Sequence, residues 1–281
     1  MIVMIKTHGR PHSQHTLNAL VDAGFPKKDI ILMLDNEDDT IETYEELYGD
    51  DYRIVVFDKQ QIVDIVDSGL RIPVRKVNTY AWQACELYAQ QHNIKLCGMA
   101  DDDITGFRYR YVENGSLKSL HITHGIDKVI SEYGKWLENG NVAATAFGTN
   151  QMYMGGSQVF DYDKVINYRA PYNFIFRNMR YEFKWCSYMY EDTIVPVKEN
   201  TYGKYTLQLP FVQLEMKDVD AGAQGGMSST YSRVSDFKRI GSLLQYHPSC
   251  VRYIATNKKV THGLYKDKAF PKLISSSCKK V

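Results

Sequence analysis

Short apolar runs alternate with amphipathic runs through residues 1–104, and this alternation restricts the fold more than any other feature of the sequence. The apolar runs predict strands at 2–6, 30–34, 52–57 and 94–100. The amphipathic runs predict helices at 13–23, 40–48 and 75–92. Strands separated by helices pair in parallel, with the helices covering the faces of the sheet. We therefore expect an α/β fold whose amino-terminal half is a doubly wound parallel sheet.

The second half of the sequence has a different pattern, rich in tyrosine, glycine and short alternating runs. Such runs indicate strands at 145–153 and 205–212, and helical spacing recurs at 126–138 and 231–244. No change of composition marks a linker between the two halves. We therefore expect residues 1–281 to form a single domain around a mixed sheet.

Composition excludes several classes of protein. With 281 residues, of which 44% are hydrophobic, the chain has enough apolar mass for a sizeable core. The net charge of +1 gives none of the whole-chain basicity that points to nucleic acid. The five cysteines are scattered without zinc-type spacing, which indicates reduced thiols and a cytoplasmic protein. Since no apolar run approaches about 18 residues, we expect no membrane partner.

Charge is nevertheless unevenly distributed along the chain. Residues 35–51 contain nine acidic and no basic residues, whereas residues 252–281 contain eight Lys or Arg and one Asp. A basic segment of this kind either contacts a polyanion or forms a solvated end of the chain. The sequence alone leaves both interpretations open.

Three consecutive carboxylates, Asp101, Asp102 and Asp103, directly follow the fourth predicted strand. Carboxylates so crowded repel one another unless a cation neutralises them. Hard oxygen ligands suit Mg²⁺ or Mn²⁺, and both ions also bind diphosphates. The triplet therefore predicts a metal–diphosphate site, with a solvated turn or a helix cap as the alternative.

Other polar residues also follow predicted strands. Thr7 and Asp35 come after the first and second strands, and ligands of parallel sheets bind at the carboxyl ends of the strands. We therefore expect Thr7, Asp35 and Asp101 to converge on one crevice. The acidic run 35–39 is a competing metal site, although a helix that begins near Thr40 accounts for all of it except Asp35.

Five segments, taken in chain order, resemble the motifs of GT-A glycosyltransferases. They are K-T-H-G-R-P at 6–11, R-K-V-N-T-Y-A-W at 75–82, M-A-D-D-D-I at 99–104, Y-E-D-T at 190–193 and G-G-M-S-S-T-Y at 225–231. Over roughly residues 2–250 the sequence is similar to the TET-associated glycosyltransferases and their phage relatives.

This resemblance implies a fold and its division along the chain. The fold is a GT-A-like, Rossmann-related α/β architecture, with a mixed sheet, a parallel amino-terminal half and helices on both faces. Residues 1–104 then form the half that binds the nucleotide-sugar, and residues 105–250 form the acceptor half. Residues 251–281 are the basic carboxy-terminal segment.

The resemblance also implies an activity. It indicates a metal-dependent hexosyltransferase that moves a sugar, by default glucose, from a UDP-sugar to a hydroxyl group. The implied acceptor is a 5-hydroxymethylpyrimidine in phage DNA. The partners are then a UDP-sugar and DNA, and the cofactor is Mn²⁺ or Mg²⁺. The chain is expected to be a monomer or homodimer in the host cytoplasm.

Individual residues acquire roles from the same resemblance. The donor-binding set is Thr7, Arg10, Asp35, Arg75, Asn78, Asp101 and Asp102. The metal ligands are Asp101, Asp103 and a late histidine, for which His262 is preferred to His247. Asp192 is the candidate general base, because transfer to a hydroxyl needs a carboxylate that removes its proton. Glu191 is the alternative, since neighbouring side chains of an extended segment point in opposite directions.

Three other functions stay open. A glycosyltransferase that acts on a protein, a glycan or a small molecule would share the donor motifs and have no use for the basic segment. A nucleotidyltransferase also uses paired carboxylates at a strand end, but it usually needs a glycine-rich loop, and residues 8–13 contain one glycine. A non-catalytic binding module would keep the fold without a metal.

Overall fold

The computed structural model describes residues 1–71, 74–140, 142–153, 172–217, 234–255 and 260–269. The strands in these ranges are β1 (Ile2–Lys6), β2 (Ile30–Asp35), β3 (Arg53–Phe57), β4 (Leu96–Asp101), β5 (Ile104–Glu113), β6 (Ser116–His121), β7 (Val142–Gly148), β8 (Phe174–Asn178), β9 (Tyr205–Met216), β10 (Val251–Ala255) and β11 (Val260–Leu264). The α-helices are α1 (His15–Asp22), α2 (Ile41–Tyr48), α3 (Lys59–Ile65), α4 (Asn78–Gln91), α5 (Ile126–Asn139), α6 (Glu191–Thr201), α7 (Asp236–Tyr246) and α8 (Lys266–Ala269).

Nine of these strands form one sheet in the order β3-β2-β1-β4-β8-β7-β9-β5-β6. Strands β3, β2, β1 and β4 run parallel to one another, whereas β8 is antiparallel to both β4 and β7. β9 is parallel to β7, and β5 pairs antiparallel with β9 and β6. The predicted mixed sheet with a parallel amino-terminal half is therefore confirmed. Strands β10 and β11 form a separate two-stranded antiparallel sheet.

Helices cover both faces of the nine-stranded sheet, as the sequence predicts. Successive side chains of a strand point to opposite faces, so Met4 of β1 packs into the core beneath α4, while Val3 and Ile5 pack into the core beneath α1. Helices α3, α4, α6 and α7 contribute to the first core, and α1, α2 and α5 contribute to the second. Across the ranges given above, every helix is too short or too polar to span a bilayer.

The amino-terminal elements agree closely with the sequence patterns. All four strands lie within two residues of their predicted bounds, and the predicted helix at 126–138 is α5. The predicted helix at 75–92 begins three residues late, at Asn78, because Val77 is extended with φ −137° and ψ 146°. The predicted helix at 231–244 is α7, which begins after Ser235, whose hydroxyl caps it by accepting from the Lys238 N–H.

The apolar patterns do not predict the β5–β6 hairpin or α6. The hairpin turns at Asn114 and Gly115, which have φ values of 50° and 74°. An Asn-Gly pair with two left-handed residues is the preferred two-residue hairpin turn, so the sequence did contain a signal for it. Helix α6 contains Pro196, which interrupts the pattern expected of a helix.

A buried ion pair joins α4 to β8. Arg177 Nε donates to Glu86 Oε1 at 2.5 Å, and Arg177 Nη2 donates to Glu86 Oε2 at 3.2 Å. Both side chains are fully buried. The guanidinium also donates to the carbonyl oxygen of Tyr181 at 2.6 Å and lies 3.4 Å from the centre of the Phe183 ring. These partners satisfy two charges that would otherwise be costly to bury.

Glu86→Gln should lower the free energy of unfolding by roughly 3–5 kcal/mol, because it leaves the Arg177 charge buried without its counter-charge. Urea unfolding followed by circular dichroism measures the change. The matched control is Glu132→Gln, which removes one partner of the exposed Glu132–Lys135 pair and should cost less than about 0.5 kcal/mol. Equal effects of the two variants would contradict the importance of the buried pair.

Candidate active site

The carboxyl ends of β1 and β4 lie side by side, and the register pairs Lys6 with Asp101. The buried Lys6 ammonium donates to Asp101 Oδ1 at 2.5 Å and to Asn78 Oδ1 at 3.2 Å. It also lies 3.3 Å from the centre of the Trp82 ring. Asn78 Nδ2 and Asn173 Nδ2 donate to Asp101 at 3.3 and 3.2 Å. Asp101 is therefore held from β1, from the first residue of α4 and from the residue before β8.

Asp102 is held by the loop that follows β1. Thr7 Oγ1 donates to Asp102 Oδ2 at 2.8 Å, and Arg10 Nη1 donates to Asp102 Oδ1 at 2.8 Å. The Tyr44 hydroxyl lies 2.7 Å from Thr7 Oγ1, which fixes the threonine from α2. Burial raises the pKa of Asp102, although the Arg10 charge and the Thr7 hydrogen bond oppose that shift. Two predicted donor-binding residues, Thr7 and Arg10, are thus brought to the triplet.

Asp103 has the least favourable surroundings of the three carboxylates. Its Oδ1 is buried and has no hydrogen-bond partner. Burial, followed by the charges of Asp101 and Asp102, raises the pKa of Asp103 to about 7. A bound cation would remove both the unpaired oxygen and the repulsion, so the chemistry of these residues fits a divalent metal.

The metal-ligand set itself stays a prediction. Within the described ranges, no group of three or more His, Cys, Asp or Glu side chains has an arrangement that could hold a metal ion. Asp101 is engaged with Lys6, and Asp102 is engaged with Thr7 and Arg10. The unpaired oxygen of Asp103 is the feature that points to a cation.

Asp35, at the end of β2, opens onto the same side of the sheet. His8 Nδ1 lies 3.0 Å from Asp35 Oδ2, and Lys59 Nζ donates to Asp35 Oδ1 at 3.2 Å. Burial alone would raise the pKa of Asp35, but the His8 hydrogen bond and the Lys59 charge outweigh burial and lower it. Because His8 directly follows Thr7, the structure brings Thr7, Asp35 and Asp101 to one edge of the sheet.

A cavity of about 300 Å³ lies beside Asp35. It is lined by His8, Gly9, Glu37, Asp38, Asp39, Thr40, Lys59, Arg75 and Lys76. Arg75 precedes α4 rather than lying within it, so the predicted helical position of this residue is wrong. Its guanidinium forms a short ion pair with Glu37 and donates to Gln60 Oε1 at 2.6 Å. The cavity therefore combines both charge signs next to the β2 carboxylate.

Glu191 and Asp192 are the first two residues of α6, not part of an extended segment. The expectation that their side chains point in opposite directions is therefore wrong, because successive helical residues are about 100° apart. Burial raises the pKa of Glu191 to about 8, with the Asp192 charge adding to the shift. Burial also raises the pKa of Asp192, to about 6, and the next contribution is the charge of Asp101. Both acids are thus within electrostatic range of the triplet.

The two candidate histidines have different surroundings. The His262 ring packs edge-on against Tyr190 at 4.8 Å between ring centres, and Tyr190 directly precedes Glu191. His262 Nδ1 is buried without a hydrogen-bond partner, and burial lowers the pKa of this side chain. His247 Nε2 instead lies 2.8 Å from the carbonyl oxygen of Ile194 in α6. Because His247 contacts the backbone of α6, His262 is the histidine favoured as a metal ligand.

Several residues at this edge were not assigned from the sequence. They are Lys6, His8, Tyr44, Lys59 and Asn173. Lys6 had a signal, since a lysine that ends an apolar strand must find a counter-charge. Asn173 had none, because only the pairing of β8 with β4 brings it to Asp101. The glycine-containing segment 225–231 lies outside the described residues.

Comparison with known proteins gives a family and several structural neighbours. A family model described as "TET-Associated Glycosyltransferase" matches residues 1–226. No curated protein that was compared matches the sequence.

The structural neighbours are distant in sequence. A crystal structure of a mycobacterial protein is 12% identical, with a TM-score of 0.49 and coverage of 94% of this chain and 82% of that chain. Glucosyl-3-phosphoglycerate synthase from Mycobacterium tuberculosis, in complex with Mn²⁺, UDP and phosphoglyceric acid, is 10% identical, with a TM-score of 0.48 and coverage of 94% and 85%. Its complex with Mn²⁺, UDP-glucose and phosphoglyceric acid is 11% identical, with a TM-score of 0.47 and the same coverage. The strand order of this chain by itself shows the mixed α/β fold.

Asp103→Asn should stabilise the metal-free protein at about pH 8 and leave its stability unchanged near pH 3.5. The pKa of Asp103 rises from an ordinary 3.8 to about 7 on folding, so the unfolded chain loses the proton first as pH rises. Stability therefore falls between these values, by up to about 4 kcal/mol, and the asparagine avoids that loss. Urea unfolding in EDTA measures the free energy of unfolding at the two pH values, and substitution of the exposed Asp22, Asp22→Asn, is the control. A gain that is the same at both pH values would contradict the raised pKa.

Proposed function

The chain belongs to the TET-associated glycosyltransferase family, and we propose that it is a metal-dependent enzyme that transfers a hexose from a UDP-sugar to a hydroxymethylated pyrimidine of DNA. Family membership makes it a glycosyltransferase and argues against a nucleotidyltransferase or a non-catalytic module. The donor, the metal and the acceptor are the proposed parts. Glucose is the default sugar because the resemblance of the motifs points to it.

One observation carries the metal-dependent mechanism. The buried Asp103 Oδ1 has no partner at the end of β4, in a triplet whose other two members are engaged with Lys6 and with Thr7 and Arg10. Burial and the neighbouring like charges raise the pKa of Asp103 to about 7. A divalent cation bound there would favour the ionised carboxylate again. Mn²⁺ or Mg²⁺ would be held by Asp101, Asp103 and His262, which are not grouped around one point in this structure and would have to close on the ion. When bound, the ion neutralises charge on the departing nucleoside diphosphate.

Donor binding is assigned to the edge formed by β1, β2 and β4. Arg10 lies at the triplet and is suited to pair with the diphosphate. Asp35 and the neighbouring cavity, which Arg75 lines, would receive the nucleoside. Asn78 binds Asp101 and would orient it toward the donor. Thr7 and Asp102 complete this set.

Asp192 is the proposed general base. Its pKa of about 6 leaves the carboxylate ionised at neutral pH, whereas the pKa of Glu191, about 8, keeps Glu191 protonated. Asp192 would take the proton of the acceptor hydroxyl as that oxygen bonds to the anomeric carbon. The bond from the anomeric carbon to the diphosphate breaks, and its electron pair leaves with the nucleoside diphosphate.

The acceptor is the least constrained part of the proposal. A hydroxymethyl group must reach the end of β4, so a base inside a duplex would have to be flipped out or supplied by a single strand. The basic segment 251–281 is suited to the phosphates around such a base. A protein, a glycan or a small molecule is the alternative acceptor. We further propose that the enzyme acts in the cytoplasm, as a monomer or homodimer, and in a phage host if a phage encodes it.

A screen of nucleotide-sugars with Mn²⁺, with and without hydroxymethylated DNA, tests the whole proposal. We expect UDP release that depends on the metal and increases with hydroxymethylated DNA over unmodified DNA. Asp103→Asn should slow sugar transfer by raising its activation free energy by on the order of 3–4 kcal/mol, because it removes a metal ligand that acts on the charge developing in the transition state. Full activity in EDTA or in Asp103→Asn would overturn the metal-dependent mechanism. Sugar transfer to a protein or glycan, without transfer to hydroxymethylated DNA, would show that DNA is not the acceptor.

Asp192→Ala should reduce kcat by at least about a hundredfold while leaving the Kd for UDP nearly unchanged, because a general base acts only as the acceptor loses its proton. Steady-state kinetics and calorimetry with UDP measure the two quantities. Glu191→Gln is the matched comparison, and it should retain more activity since Glu191 is already protonated at neutral pH. If UDP affinity falls as steeply as kcat in Asp192→Ala, Asp192 is a binding residue instead.

A further inference from the structure

The two-stranded β10–β11 sheet has one face turned to the protein and one turned away. Val251 and Leu264 are opposite each other, and both pack against the core that includes α7. Residues directly opposite in an antiparallel pair share a face, and neighbours along a strand alternate. Arg252 therefore lies on the outer face. The ring of Tyr265, which directly follows β11, contacts the Arg252 guanidinium and therefore lies on the same outer face.

An exposed aromatic ring on this face is flanked by two cations. Tyr265 is 39% exposed, and the Arg252 guanidinium lies 5.2 Å from the centre of its ring. The Lys268 ammonium of α8 lies 5.0 Å from the same ring centre. Arg252 and Lys268 are themselves exposed. We call these three residues, Arg252, Tyr265 and Lys268, the Tyr265 platform.

The segment that carries the platform is predominantly basic. From Arg252 to Lys268 the sequence contains five Lys or Arg and one acidic residue, Asp267. Residues 35–51, at the donor side of the sheet, contain nine acidic and no basic residues. A polyanion is therefore attracted to the platform and repelled from the outer part of the donor side.

The platform is close in space to the candidate active site. His262 lies on the face of the two-stranded sheet opposite the platform and contacts Tyr190, which directly precedes Glu191 and Asp192. Helix α8, which carries Lys268, also packs against α6, whose first turn carries Asp192. A strand of nucleic acid that presents a base to Asp192 can thus continue onto the platform.

We propose that the Tyr265 platform binds single-stranded nucleic acid next to the acceptor base. Tyr265 stacks on an unpaired base, and Arg252 and Lys268 contact the phosphates on either side of it. A duplex fits less well, because its bases are already stacked on both faces and cannot receive the tyrosine ring. This inference rests on the proposed DNA acceptor and names the surface that holds it.

Binding of a fluorescent single-stranded oligonucleotide, followed by anisotropy over a series of salt concentrations, tests the platform. Tyr265→Ala should weaken binding roughly tenfold through lost stacking. The double variant Arg252→Gln/Lys268→Gln should reduce the slope of log K against log salt by about 1.4, the value for two lost phosphate contacts on a single strand. A duplex of the same sequence should bind more weakly and respond less to Tyr265→Ala.

Matched variants control for general effects of the substitutions. Tyr202→Ala removes a tyrosine that is 70% exposed after α6, and Lys135→Gln removes an exposed lysine of α5. Neither should change oligonucleotide affinity or its salt slope. Thermal unfolding and the Kd for UDP check that every variant is folded.

The outcomes separate this inference from the proposed function. If wild-type protein modifies hydroxymethylated DNA but the platform variants bind the oligonucleotide as well as Tyr202→Ala and Lys135→Gln do, the platform is wrong and the proposed function stands. If wild-type protein neither binds the oligonucleotide at low salt nor modifies DNA, both the proposed DNA acceptor and the proposed role of the platform are contradicted. Binding to phosphatidylserine vesicles without oligonucleotide binding would also overturn the platform.

Discussion

Repulsion among three neighbouring carboxylates at the end of β4 is the constraint on which the rest of the site depends. Asp101 ends β4, and Asp102 and Asp103 form the turn to β5, so the repulsion is relieved by protonation or by cations and hydrogen-bond donors brought to them. Lys6 supplies one charge from β1, and Arg10 supplies another from the following loop. Asp103 Oδ1 has no hydrogen-bond partner, and the lowering effect of the Arg10 charge on its pKa is smaller than the rise caused by burial and the two adjacent charges, which leaves the pKa at about 7. The site is thus short of one positive charge, which a divalent ion would provide.

Helix α4 connects this edge of the sheet to the buried core. Asn78, at its start, contacts both Lys6 and Asp101, and the Trp82 ring one turn later lies beneath the Lys6 ammonium. Trp82 stacks on Trp185 at 4.7 Å between ring centres, and Glu86 holds the buried Arg177 of β8. Contacts along one helix therefore fix the position of a carboxylate that the sheet alone would leave free to rotate.

The proposed donor and acceptor regions differ in the charge of their sequence segments. Acidic residues concentrate after β2, where Asp35 is stabilised by His8 and Lys59, and basic residues concentrate after α7. Helix α6 lies between these regions, with Glu191 and Asp192 in its first turn and His247 bound to its backbone. Burial raises the pKa values of both acids, and the charge of Asp192 adds to the rise at Glu191, whose pKa is about 8 against about 6 for Asp192. One acid is left ionised and the other protonated near neutral pH.

The sequence by itself determined the parallel half of the sheet and the strand-end positions of Thr7, Asp35 and Asp101, because strand periodicity and the ends of apolar runs are local properties. It also pointed to the carboxylate triplet, since adjacent charges repel in any fold. Only the tertiary structure decided which charges are balanced. Lys6 meets Asp101 because β1 pairs with β4, Asn173 arrives through the antiparallel β8, and Tyr190 meets His262 across 72 positions of sequence. The structure also decided that 191–192 begin a helix and that Arg75 precedes one. These contacts join residues far apart in the chain, and no local pattern encodes which partner a buried charge will find.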